Sequence, residues 1–326
     1  MNKANLLKET KISNLGKVFA TCLSDLMSTN KDVYYLDCDL AGALGTTSLM
    51  QEHKKQAINC GIMEANMIGM AAGMSLKGKI PFTHTFGTFA ARRVADQVFL
   101  SGCYNDANVK MIGSDPGISA QTNGGTHMPF EDIGVFRSFP NITILDINDE
   151  VLLKKLLPEI VATHGMMYIR MPRKGSECYY DSDNTFEIGK AQLLREGSDV
   201  SIIAAGVEVP TALRAAEELE TRGINARVVD MFTIKPIDRE MVIECASKTG
   251  AIVTAENHNI NGGLGSAVAE VLAENKPCVM KRIGVDEMFG EVGTQEYLAQ
   301  RFNMTSDDIV DACLDVIKRK EENNAV

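Results

Sequence analysis

The sequence predicts two doubly wound α/β domains in tandem, and three observations lead there. Short runs of β-branched and aromatic residues alternate with longer Ala-, Leu- and Glu-rich stretches, the pattern of βαβ units around a parallel sheet. The alternation breaks once, at the polar Gly/Ser/Asp/Asn segment Lys174 to Asn184, and then resumes. At 326 residues, 45% hydrophobic and 23% charged, the chain has room for two cores. The expected domains are residues 1–180 and 190–326, joined near Gly175 to Glu187.

Val33 to Asp37 reads as a strand because a β-branched and aromatic run ends at polar residues. Met63 to Leu76, rich in Ala, Met and Gly, reads as a buried helix. Val109 to Gly113 is the next strand and runs into a Gly-rich polar loop, Ser114 to Thr126. Ile142 to Leu145 and Met167 to Met171 are further strands, and Lys174 to Asn184 reads as a linker. Beyond it, Val200 to Gly206 is a strand entering a Gly turn, and Pro210 to Arg222 is an amphipathic helix stopped by Gly223. Ala226 to Asp230 and Ala251 to Glu256 are strands, and Gly265 to Asn275 is a helix.

Composition excludes several functions. A net charge of -10 and a pI near 5.1 argue against nucleic acid and against a polybasic membrane surface. The 8 cysteines are scattered, with no C-x-x-C pair, as expected of reduced thiols in a cytoplasmic protein rather than a disulfide framework or zinc site. Met1 to Lys11 lacks the apolar stretch of a signal peptide, and no apolar run approaches the ~20 residues of a membrane span. Lys318 to Asn324 reads as a frayed, solvated helix end.

Three segments could carry chemistry. Gly61 to Gly73 sets one carboxylate, Glu64, in a run of small and apolar residues, where it needs a partner or a proton, unless it is a solvent-facing helix start. Pro81 to Arg92 places Phe86 and Phe89 three apart around Gly87, which suits either a stacking platform for a flat ring or core packing. The loop from Ser114 to Phe130 carries Gly117, Gly124 and Gly125 before Thr126-His127, a setting that can present an imidazole to a reacting centre. The turn Gly262-Gly263-Leu264-Gly265 could be read as a dinucleotide-binding turn, but it lacks G-x-G-x-x-G spacing.

Taken in order, Gly61-Ile62-Met63-Glu64 with Asn66-Met67, Pro81-Phe82 with Thr85-Phe86 and Phe89, Asp96-Gln97, Gly124-Gly125-Thr126-His127, and Glu131-Asp132-Ile133 with Arg137 and Pro140-Asn141 resemble the pyrimidine-binding domain of transketolase and its split forms. Thr254-Ala255-Glu256-Asn257-His258 and Gly262 to Gly265 resemble that family's C-terminal domain, so the resemblance covers nearly the whole chain and implies a mixed sheet in the second domain. It implies thiamine diphosphate as cofactor. Glu64 then stands where a glutamate hydrogen-bonds the aminopyrimidine and favours the tautomer that activates the thiazolium carbon. Phe86 and Phe89 match aromatics packed on the pyrimidine, and Asp39 and Leu40 match positions beside the cofactor. His127 matches a histidine near the reacting carbons, and Arg173 matches an arginine that binds a sugar phosphate.

The family's Gly-Asp-Gly motif, which holds the diphosphate through Mg2+ (or Ca2+), does not occur in the sequence. The resemblance therefore implies a partner: an N-terminal transketolase subunit carrying the diphosphate-binding domain, in a heterotetramer with cofactor at the interface and sugars or sugar phosphates as substrates. The chain itself is expected to hold no metal. Departures from the family fall on the substrate side: Asp115-Pro116-Gly117 in place of a histidine motif, Asn123-Gly124 in place of Asp-Gly, and Ala43 in place of a phosphate-contacting Ser. Asp115 and Asn123 are thus candidate substrate residues beside His127 and Arg173, and the changes imply weaker binding of phosphorylated sugars. Two other readings fit the layout: the β subunit of a 2-oxo acid dehydrogenase or a deoxyxylulose phosphate synthase-like enzyme, and a non-catalytic scaffold. No role is assigned to Glu256 or His258.

Overall fold

The apolar runs form fourteen strands in a computed structural model that describes residues 3–324; the outermost residues of the expected domains lie outside the described residues. The strands are β1 (Leu6–Ser13), β2 (Val33–Asp37), β3 (Ala57–Asn59), β4 (Ile80–Phe86), β5 (Lys110–Ser114), β6 (Ile142–Asp146), β7 (Met166–Met171), β8 (Ser176–Tyr180), β9 (Gln192–Arg195), β10 (Val200–Ala204), β11 (Ala226–Asp230), β12 (Thr233–Lys235), β13 (Ala251–Asn259) and β14 (Val279–Val285). Seven of them make the first sheet, in the order β12-β6-β7-β5-β4-β2-β3, parallel except where β12 runs against β6. Five make a second, mixed sheet, β14-β13-β10-β11-β9, with β9 antiparallel to β11. This is the expected α/β class with two sheets. The central strands are buried along their length, which is why they read as near-continuous apolar runs.

Two expectations about the domain boundary are corrected. The segment Lys174 to Asn184 is not simply a linker, because β8 lies within it, paired antiparallel with β1. Its Tyr179 and Tyr180 are buried and donate their hydroxyls to Asp230 Oδ2 at 2.9 and 2.8 Å. The two sheets are also not separate in sequence, since β12 follows β11 of the second sheet yet closes the edge of the first.

The helix expected over Met63 to Leu76 spans Glu64–Ser75, but it is buried on one face only. Met67, Ile68, Ala71 and Ala72 are buried, while Ala65, Asn66, Gly69, Met70 and Gly73 are exposed. Exposed Ile62 and Met63 precede it, and exposed Leu100 and Tyr104 lie on the Val98–Tyr104 turn packed beside it. No described helix is long and apolar enough to cross a membrane.

Parallel pairing fixes where chemistry gathers. The C-terminal ends of β2, β4 and β5 lie side by side, with Asp37 in register with His84, and Phe86 with Ser114. Ligands of open α/β sheets bind beyond the strands' carboxyl ends, and the loops and helices leaving β2, β4, β5 and β7 carry most of the candidate residues.

Candidate active site

Glu64 opens the helix Glu64–Ser75, and its side chain is only 5% exposed. Its Oε1 accepts from Arg93 Nη1 at 2.9 Å and from Thr85 Oγ1 at 3.4 Å. The lone carboxylate of the sequence therefore has a cation beside it. Arg93 is half exposed and its guanidinium lies 3.8 Å from the centre of the Phe89 ring. Both donors fall on Oε1, so the second oxygen is available to a ligand's ring N–H or nitrogen.

Phe86 ends β4 and Phe89 sits in the first turn of the following helix, Gly87–Arg92. Their ring centres are 6.1 Å apart, and the His127 ring meets both edge-on, at 5.6 and 5.2 Å. His127 reaches them from the short turn Gly125–His127, where its Nδ1 lies 2.9 Å from Thr126 Oγ1. The two phenyl rings and the imidazole thus form one partly exposed cluster, joined to Glu64 through Arg93 on Phe89.

Phe86 also meets Arg173, whose guanidinium lies 5.1 Å from the ring centre. Asp115 binds Arg173 twice, accepting from the backbone N–H at 3.2 Å and from Nε at 2.5 Å. Arg173 Nη1 donates to the Ala43 carbonyl at 3.1 Å. Burial holds the Asp115 carboxyl above the ordinary range, against the opposing pull of Arg173. Asp115 takes a left-handed backbone, φ +55.

Asp39 and Leu40 follow β2. Asp39 is exposed, with φ +63, and its Oδ1 accepts from Asn59 Nδ2 at 2.9 Å. The Leu40 N–H is held by Asp37 Oδ1 at 2.5 Å. Asn123 is different: it is exposed on the turn Gly117–Asn123 and makes no side-chain hydrogen bond among the described residues. The structure thus gathers Glu64, Phe86, Phe89, His127, Asp115 and Arg173, attaches Asp39 and Leu40 through the β2 end, and leaves Asn123 at the rim.

Sequence reading missed Arg93 and a buried network beneath the site. Asp37 Oδ2 lies 2.6 Å from His84 Nδ1, and His84 Nε2 lies 3.0 Å from Ser114 Oγ; all three side chains are fully buried. The Tyr35 hydroxyl also donates to Asp37 Oδ2, at 2.8 Å. β4 is buried along Pro81 to Thr85, so no alternation in the sequence marks His84, and its partners lie 47 and 30 positions away.

Glu256 and His258 belong to the packing. Glu256 accepts from the N–H groups of Leu264 and Gly265, at 2.6 and 2.8 Å, at the start of the helix Leu264–Asn275. Those are the donors a phosphate would need, so the glycine turn is filled by a carboxylate. Gly263 has no room for a side chain, because a Cβ there would collide with Glu256. His258 Nδ1 lies 2.7 Å from the Asn259 carbonyl, and Gly134 N–H donates to its Nε2 at 3.3 Å.

Comparison with known proteins agrees with this layout. The family "Transketolase, pyrimidine binding domain" matches residues 13–176, and "Transketolase, C-terminal domain" matches residues 189–309. The chain belongs to the transketolase family. Within it, the chain is 47% identical to the 6-deoxy-6-sulfo-D-fructose transketolase subunit SqwH of Clostridium sp. (strain MSTE9), over 94% of this chain and 95% of that one. It is 37% identical to the putative transketolase C-terminal section of Methanocaldococcus jannaschii, over 94% and 97%. Among solved structures, a split gene transketolase described as an inactive β4 tetramer superposes with a TM-score of 0.85 at 38% identity, covering 93% of this chain and 98% of that one. Transketolase from Leishmania mexicana shares the fold, with a TM-score of 0.80 at 20% identity, and this chain spans 47% of its length.

Proposed function

We propose that this chain is the cofactor-activating subunit of a two-chain, thiamine diphosphate-dependent transketolase. It moves a two-carbon ketol unit from an anionic ketose to an aldose in the cytoplasm. The observation that carries the reading is Glu64: a buried carboxylate with one oxygen engaged, joined through Arg93 to the Phe86–Phe89–His127 cluster, in a chain of the transketolase family.

The residues fit the cofactor's aminopyrimidine half. A planar ring matches the partly exposed aromatic surface around Phe86 and Phe89, and a basic ring nitrogen matches the second oxygen of Glu64. When bound, thiamine diphosphate supplies a carbon nucleophile and takes the electrons released as the ketose carbon–carbon bond breaks. Glu64 holds a proton at the pyrimidine nitrogen, with Arg93 and Thr85 fixing its side chain. Asp39 and Leu40 bound the cofactor on the β2 side. His127 stands where it can move a proton to or from a sugar oxygen. Arg173 faces the sugar's anionic end.

No described group of three or more His, Cys, Asp or Glu side chains is placed to hold a metal. The Mg2+ (or Ca2+) and diphosphate are assigned to a partner subunit with the family's other domain, in a heterotetramer. The open face of the helix Glu64–Ser75, with Ile62, Met63, Leu100 and Tyr104 beside it, supports assembly, since exposed apolar side chains grouped beside a site mark contact surfaces.

The Asp115–Arg173 pair supports a reading of the substrate. Its net charge is lower than that of a lone arginine, and Ala43 offers no hydroxyl. That suits a singly charged terminal sulfonate better than a doubly charged phosphate, in keeping with the sulfo-sugar named for the Clostridium relative. Asn123 is placed at the sugar's exposed side.

The test is Glu64→Ala in the complex reconstituted with its partner subunit. Ketol transfer should fall by roughly 10²-fold or more while the complex stays assembled. An unchanged rate would leave only a scaffold. Steady-state kinetics should favour 6-deoxy-6-sulfofructose over xylulose 5-phosphate as donor, and ordinary transketolase rates with xylulose 5-phosphate and ribose 5-phosphate would remove the sulfonate assignment.

A further inference from the structure

The buried network under the site closes on itself. Leu40 N–H donates to Asp37 Oδ1 at 2.5 Å, and Asp37 Oδ2 meets His84 Nδ1 at 2.6 Å. His84 Nε2 meets Ser114 Oγ at 3.0 Å, and Ser114 is joined by one peptide bond to Asp115. Asp115 grips Arg173 through two bonds, Arg173 Nη1 donates to the Ala43 carbonyl at 3.1 Å, and Ala43 N–H donates to the Leu40 carbonyl at 2.9 Å. The circuit starts and ends at Leu40, and every link but the Arg173 guanidinium and the Leu40–Ala43 turn is buried.

We propose that His84 is a positioning residue that couples the turn at Asp39-Leu40 to the Asp115–Arg173 pair, so that occupying one strengthens binding at the other. This rests on the functional reading above, which puts the cofactor at the first and the substrate's anionic end at the second. His84 is the one side chain in the circuit that spans two strand neighbours, reaching Asp37 on β2 and Ser114 on β5 from β4 between them. An imidazole has polar atoms at both ends of a rigid ring, so a shift on one side is passed to the other without slack. Asp39 and Asp115 both hold left-handed backbone conformations, φ +63 and +55, which need such support to persist. A histidine that merely filled the core would not have to meet a polar group at each end, both of them leading into site loops.

The experiment uses the complex with its partner subunit and reads binding rather than turnover. Thiamine diphosphate with Mg2+ is titrated by calorimetry with and without methanesulfonate, a minimal anion for Arg173, at constant ionic strength. In the unaltered complex methanesulfonate should tighten cofactor binding by on the order of tenfold. Ser114→Ala cuts the circuit on the Asp115 side only. It should leave cofactor affinity alone within about twofold and abolish the tightening. His84→Leu should abolish it and also weaken the cofactor itself, with faster hydrogen exchange at the Leu40 amide. His84→Asn, whose amide reproduces the Nδ1 bond to Asp37, should restore cofactor affinity but not the coupling. Should His84→Leu fail to fold, Ser114→Ala and His84→Asn decide the matter. The inference is overturned if methanesulfonate has no effect on the unaltered complex, or if the tightening survives in Ser114→Ala. A complex that does not bind thiamine diphosphate at all sinks the functional reading instead, which is a separate outcome.

Discussion

At the scale of single residues, the site combines groups that the sequence displays with groups that it hides. Glu64 stands out in sequence because it is the one carboxylate in an apolar run; Arg93 does not, because an arginine on a helical stretch is ordinary and its partner is 29 positions away. His84 is hidden for a similar reason, since its two partners lie on neighbouring strands. Arg173 was legible only through resemblance. The structure adds that Asp115 holds its Nε and the Ala43 carbonyl its Nη1, so the guanidinium is already partly engaged within the chain. Replacing Arg173 by Met should raise the KM for an anionic donor ketose roughly 10- to 100-fold with a smaller change in kcat, the pattern of a group that binds without entering the chemistry. The KM for a neutral ketose should stay within about twofold, and equal loss with both sugars would show that Arg173 supports the fold rather than the anion.

At the scale of elements, periodicity revealed those strands whose stability is local and missed those set by distant partners. β2, β7, β10 and β11 are β-branched or aromatic runs buried on both faces, and their bounds fall within a residue or two of the expected ones. β8 sits in a Gly/Ser/Asp-rich stretch and is held by β1, far away in sequence, and by the Tyr179 and Tyr180 bonds to Asp230. β12 is three residues long and pairs across to the other sheet. The Glu64–Ser75 helix read as buried because its open face, apart from Asn66, is built of Ala, Gly and Met, which pattern alone cannot tell from a core-facing stripe. The helix Leu264–Asn275 shows how a charged residue in a glycine-rich segment can be structural. Glu256 caps two N–H groups at its first turn, so Glu256→Ala leaves both buried donors unpaired and should destabilise the chain by about 1–3 kcal/mol in denaturant unfolding. Ketol transfer per folded molecule should be unchanged, because no candidate site residue touches Glu256.

At the scale of the whole molecule, the two sheets meet through buried charge. Arg170 on β7 of the first sheet is fully buried, donates Nε to Asp132 at 2.8 Å, binds Asp146, and gives Nη2 to the carbonyl of Asn257 on β13 of the second, at 2.9 Å. Beside this junction Glu208 opens the helix Glu208–Thr221; it is 2% exposed, and its Oε2 has no hydrogen-bond partner among the described residues. Burial pushes the Glu208 carboxyl from an ordinary 4.5 up to about 8, with Arg214 opposing. The sign follows from proton binding. Between pH 4.5 and about 8 the folded chain keeps a proton on Glu208 that the unfolded chain has released. The stability this group contributes is therefore complete below its unfolded pKa and is lost as pH rises through that window. Above about pH 8 both states are ionised and the dependence ends. Glu208→Gln keeps the shape and cannot ionise, so it should remove this slope, which amounts to about 1.4 kcal/mol per pH unit. Other buried acids such as Asp230, lifted to about 7, act equally in both proteins and cancel in the difference. Urea unfolding of the two proteins from pH 5 to 9 should therefore give a stability difference that grows in favour of Glu208→Gln up to about pH 8 and then levels off. A difference that does not vary with pH would mean that Glu208 is already ionised in the folded chain, and that the helix start and Arg214 compensate its burial.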